Sequence, residues 1–83
     1  MNVLNLGKKL VSDLERKNSL SELSDRFKRA IVETEVNIRV LEREKILGGD
    51  LGKIELSIKG GKEFLRVLEK KLEVVNDFLK ELN

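Results

Sequence analysis

Apolar residues recur at helical spacing in three stretches of the chain, and in the last two they mark two faces of the helix rather than one. In the first stretch Val3, Leu6, Leu10 and Leu14 fall three and four residues apart, with Leu4 and Val11 widening the stripe. This spacing predicts a short N-terminal helix over about residues 2–16. The polar run Lys17-Asn18-Ser19 interrupts it, and Ser19 followed by Glu22 fits a capping box, so a second helix is expected over about 19–47.

The main seam of that second helix reads Leu20, Leu23, Phe27, Ala30, Ile31, Thr34, Ile38 and Leu41. Val32, Val36, Val40 and Leu47 fall on its opposite side. Glu22 with Arg26, Asp25 with Arg29 and Glu35 with Arg39 place acid before base at i,i+4, a pairing that adds a few tenths of a kcal/mol each. Gly48-Gly49-Asp50 ends the helix: Gly48 suits a left-handed cap, and Asp50 suits the N-cap of the next helix.

A third helix is expected over about 51–82. Leu51, Ile54, Ile58, Gly61, Leu65, Leu68, Leu72, Val75, Leu79 and Leu82 alternate steps of three and four without a slip. A second apolar stripe, Leu56, Phe64, Val67, Val74 and Phe78, runs beside it. Residues 53–59 also alternate with period two before Gly60-Gly61, the signature of a short strand. Helix is preferred, because the heptad register continues across the glycines and a lone strand has no partner.

Charge order supports a hairpin. One polar stripe of the third helix is basic at its start (Lys59, Lys62, Arg66) and acidic at its end (Glu69, Glu73, Asp77, Glu81), against the preference of the helix dipole. Folding the second helix back antiparallel sets Arg26, Lys28 and Arg29 level with Glu69 and Glu73, and Glu33 and Glu35 level with Lys62 and Arg66. An antiparallel pairing of the third helix with its own copy satisfies the same order.

Composition narrows the function. The 83 residues make one domain, 1–83, with a core that is marginal without help. There is no Cys or His, which removes disulfides, the usual zinc sites and catalysis by those side chains. No cofactor is expected. Abundant Lys, Glu and Arg without Gln or Cys is a bias of proteins from heat-loving organisms, and points to a thermophilic source. The net charge of +2 is too small to argue for nucleic acid by itself. No apolar run approaches the ~18 residues of a membrane span. Residues 1–17 lack the apolar core of a signal peptide, so a cytoplasmic location is expected.

Motifs that carry chemistry are missing or incomplete. The ladder Glu69, Glu73, Asp77 and Glu81 resembles a divalent-metal face, but such sites need oxygens converging from several elements. Gly48-Gly49-Asp50-Leu51-Gly52-Lys53 lacks phosphate-loop spacing, with Ile54 where Ser or Thr belongs. Met1–Arg16 has an apolar stripe and Lys8-Lys9, as an interfacial membrane helix does, yet it also carries Asp13 and Glu15.

The expectation is an all-α protein: a long antiparallel helical hairpin with the short N-terminal helix packed against it, two chains assembling into a four-helix or larger bundle. The expected function is non-catalytic. The chain acts as a protein–protein interaction module, an adaptor or accessory subunit of a larger intracellular complex, whose partner is itself as a homodimer, a larger protein, or both. The interacting residues are Val32, Val36, Val40, Leu56, Phe64, Val67, Val74 and Phe78. The N-terminal helix is too short to cover both second stripes, so an uncovered apolar strip is expected. The alternative is an accessory subunit of a nucleic-acid assembly, touching phosphates through Lys8, Lys9, Arg26, Lys28 and Arg29 without sequence specificity.

Overall fold

A computed structural model describes residues 3–82, with side chains from Val11 onward. Two helices make the whole of it: α1, Val3–Ile46, of 44 residues, and α2, Leu51–Leu82, of 32 residues. They lie side by side in a rod of 69 × 15 × 14 Å. The long dimension is that of α1, since 44 residues rise about 66 Å as a helix.

The expected break at Lys17-Asn18-Ser19 does not occur; α1 runs through it without interruption. The expected short N-terminal helix is therefore the first part of α1. It continues along the rod instead of folding back onto the hairpin. Its expected start at Asn2 lies outside the described residues. The physical reason is that neither Gly nor Pro stands between Lys8 and Leu47. Asn and Ser each cost roughly half a kcal/mol in a helix interior, whereas ending a helix strands backbone donors and acceptors on both sides of the break. The Ser19/Glu22 signal is local, and the propagating helix overrides it.

The turn obeys its local chemistry. Gly48 has φ 88°, in the left-handed region. Its N–H donates to the Lys45 carbonyl at 3.4 Å, and the Gly49 N–H donates to the Glu44 carbonyl at 3.1 Å. Together these form the paired bonds of a Schellman cap. Asp50 then caps α2: its Oδ1 accepts the Lys53 N–H at 3.3 Å, and its carbonyl accepts the Ile54 N–H at 2.9 Å. Residues 53–59 are helical, so the strand alternative is excluded.

Two contacts set the register of the hairpin. A Cβ on Gly61 would stand 3.0 Å from Ile38 Cγ1. Lys45 Nζ lies 3.3 Å from Glu55 Oε1. Counting outward in equal steps brings Thr34 level with Leu65, Ser24 with Val75 and Lys17 with Leu82. Val3 to Arg16, about four turns or ~21 Å of helix, therefore runs on past the end of α2.

The core is a single seam. Ile38, Ile54, Leu68 and Val75 are the buried apolar residues, and no side chain among the described residues is buried below 2% exposure. On α2 the seam is the stripe expected from the sequence, although Leu51 at its start is exposed. On α1 it passes through Ser24, which is buried, while Leu23 is exposed. The true α1 seam steps Leu20, Ser24, Phe27, Ile31, Thr34, Ile38 and Leu41, alternating four and three. Small residues on the seam let the backbones approach closely. Thr34 satisfies its buried hydroxyl by donating to the Ala30 carbonyl at 2.7 Å. Because that bond stays within one helix, Thr34→Val should leave nothing unpaired. It should stabilise the hairpin by up to ~1 kcal/mol, seen as a higher urea midpoint.

The two adjacent glycines of α2 differ in role. Gly61 faces Ile38, so a methyl there must push that side chain back; a Cβ on Gly60 meets nothing within 4 Å. Gly60→Ala should raise stability by ~1 kcal/mol, several degrees in melting temperature, through helix propensity alone. Gly61→Leu should lower it. Thermal melts of the two variants check both.

The expected surface ion pairs do not close. Among the described residues the one pair within 4 Å is Lys45–Glu55. Arg26, Lys28, Arg29, Glu33 and Glu35 stand level with their expected counterparts on α2 but remain solvated. Holding two long exposed side chains together costs about as much as the contact returns.

Candidate functional site

Fixing the seam fixes what lies on either side of it. One step back from each seam position of α2 are Gly60, Phe64, Val67, Lys71, Val74 and Phe78, again alternating four and three. Phe64, Val67, Val74 and Phe78 are all exposed, at 39–54%. They form a second apolar seam that turns about 100° away from α1.

Near the open end of the hairpin this seam meets α1. Leu20, Leu23 and Phe27 of α1 with Lys70, Lys71, Val74, Val75 and Phe78 of α2 line a groove of about 410 Å³, apolar on its floor and basic on its α2 rim. At the mouth, Arg16 stands over the Phe78 ring with its guanidinium carbon 5.7 Å from the centroid, a cation–π contact. Val11 and Leu14, on the overhang just beyond, are exposed at 56% and 58%.

The structure does not bring all the expected interaction residues together. Phe64, Val67, Val74 and Phe78 share the groove side of α2. Val32, Val36 and Val40 lie across α1 from the seam. Val36 and Val40 line a shallow hollow made by α1 alone, with Arg39, Glu42, Arg43 and Ile46. Leu56 is 72% exposed and sits farther out than the α2 seam. Leu20, Leu23 and Phe27, expected in the core from their spacing, are added to the groove by the structure.

The expected basic residues gather only in part. At about 100° per residue Arg26 and Arg29 share a face of α1, about 60° apart, while Lys28 stands about 100° from Arg29 and about 160° from Arg26. Lys8 and Lys9 have side chains outside the described set. A different basic cluster does form near the turn, where Lys45, Lys59, Lys62 and Arg66 line a hollow with Glu55, Ile58 and Glu63. Here the acids lie among the bases. The acidic ladder Glu69, Glu73 and Asp77 lines an open hollow with Leu72, Asn76 and Lys80. Among the described residues no three His, Cys, Asp or Glu side chains converge as a metal site. No described helix is long and apolar enough to cross a membrane.

No known protein family, curated protein or solved structure matches this chain.

Proposed function

We propose that this chain is a small non-catalytic interaction module, an adaptor or accessory subunit of an intracellular complex, that binds protein through the groove side of the hairpin. The observation that supports it is the second heptad seam, Phe64, Val67, Val74 and Phe78, left exposed beside Leu20, Leu23 and Phe27. A helix with two apolar seams needs a neighbour on each. Here α1 serves one seam, and a helix from a second copy or from a larger protein serves the other, completing a bundle of three or four helices.

Each of these four α2 side chains is already about half covered, so finishing their burial contributes roughly 3–5 kcal/mol in all. That is less than the ~8 kcal/mol of a micromolar complex. The contact must therefore extend to α1 and to its overhang.

The test is a photo-crosslinking residue at Val74, with a control at Asp25 on the outer surface, used in the native source. A protein adduct at Val74 and none at Asp25 is expected. An adduct to nucleic acid, or to protein only from Asp25, would overturn the reading.

A further inference from the structure

We infer that the groove side is covered by a second copy of this chain, laid on it face to face and antiparallel. In this pairing α2 runs along α2 of the second copy and α1 along its α1, with a two-fold axis crossing the rod near Lys71. The inference rests on the interaction-module reading and names the partner of that surface.

The apolar strip of α2 is the first argument. Phe64 and Phe78 stand at equal distances from Lys71, and Val67 and Val74 almost so. Turning a copy about that level sets each Phe64 against Phe78 of the second copy and each Val67 against its Val74, so that all four side chains are covered in both chains. One strip alone falls short of what a micromolar complex needs; two copies bring two strips and double the burial. The opposite side of the hairpin is charged instead, with Lys28, Glu35 and Glu42 of α1 and Glu55, Lys62 and Glu69 of α2 all exposed.

Charge on α1 is the second argument, independent of the first. Arg16, Leu23, Ala30, Asn37 and Glu44 recur every seven residues on the groove side of α1, the row that holds Leu23 in the groove and Arg16 over Phe78. Arg26 and Glu33 stand one row farther out. On this side the bases lie toward the open end and the acids toward the turn, an order that complements itself when a copy runs the opposite way. Arg26 with Glu33, and Arg16 with Glu44, are symmetric about position 30. The register set by Ile38 and Gly61 puts Lys71 level with Lys28. The two centres therefore lie within ~3 Å of each other along the rod, and one two-fold axis serves both. Each Arg26 then comes level, within a turn of helix, with Glu33 of the second copy. Among the described residues no ion pair within the chain engages these four charges. A copy running the same way would instead set Arg26 beside Val74 and Glu33 beside Val67 of the second copy, charge against apolar side chains.

Lys71 opposes the pairing. It interrupts the apolar strip at the axis, where it meets the same residue of the second copy. A single lysine within a helix seam lowers stability while fixing register. Its long stem carries the ammonium to the rim of the groove, where it already stands in the single chain. Lys71→Leu should therefore tighten the dimer about tenfold or more; a dimer no tighter than the parent's would contradict an axis at that level.

The chain has no cysteine, so Leu47→Cys, at an exposed position beside the turn, carries a single spin label on the whole 83-residue chain. Light scattering establishes the mass, and pulsed electron resonance measures the label–label distance. The antiparallel dimer holds its two turns at opposite ends, with the labels about 55 Å apart. Labels within ~30 Å, as in a dimer whose copies run the same way, would overturn the arrangement. Arg26→Glu and Glu33→Arg should each weaken the dimer roughly tenfold at unchanged helicity, and the two together should restore it. A double variant weaker than either single one would overturn the pairing across the axis. A monomer up to the solubility limit would overturn self-association, while a Val74 adduct to a different protein would still uphold the interaction-module reading.

Discussion

Leu68→Ala should unfold the hairpin, or leave it folded only with a sharply lower melting temperature. Leu68 is 4% exposed, the deepest apolar side chain among those described. Truncating a buried leucine to alanine costs about 2–5 kcal/mol, because the lost transfer energy is joined by a cavity that the surroundings fill only in part. A chain of this size holds on the order of 5–10 kcal/mol in total. The seam is one residue wide, with only Ile38, Ile54 and Val75 as equally buried companions. There is no second layer to close over the gap. Urea unfolding followed by circular dichroism measures the loss. A midpoint within a tenth of the parent's would mean that the α1–α2 seam is not what holds the helices together.

Phe78→Glu should have the largest effect on association and a small one on folding. Phe78 is 39% exposed, on the groove floor beneath Arg16. In the isolated hairpin the substitution loses one partly covered ring and one cation–π contact, about 1–2 kcal/mol together. In the complex it buries a carboxylate against apolar side chains, a cost of several kcal/mol and at least a hundredfold in affinity. The two readouts separate cleanly. Helicity and melting in dilute solution should change little, while the mass in solution should fall to that of one chain. Equal losses in both would mark Phe78 as a core residue of the hairpin and not a contact residue.

Much of this fold is legible in the sequence, for identifiable reasons. The α2 seam is legible residue by residue because all but one of its positions are Leu, Ile or Val, and hydrophobicity and heptad spacing agree. The turn is legible because Gly48 and Asp50 have chemistry that acts within a few residues. The α1 seam is less so. Leu23 outscores Ser24 on hydrophobicity, yet the buried position is the one that keeps the four-three alternation through Phe27 and Ile31. The break expected at Ser19 is absent because a capping box states only that a helix can begin there. It does not state that the preceding helix must stop. The candidate site is half legible. Phe64, Val67, Val74 and Phe78 stand out as a second stripe, but their neighbours on α1 depend on the rotation of that helix, which the buried Ser24 and Thr34 set. Val32, Val36 and Val40 look equivalent to them in sequence and separate only once the seam direction is known.

Association through the groove side is tested most directly by sedimentation equilibrium of the unaltered chain over a wide concentration range. The expected result is a mass twice that of the 9.5 kDa chain, falling toward one chain only on strong dilution. A fully helical, cooperatively folding single chain at every concentration, giving no protein adduct through Val74, would contradict it.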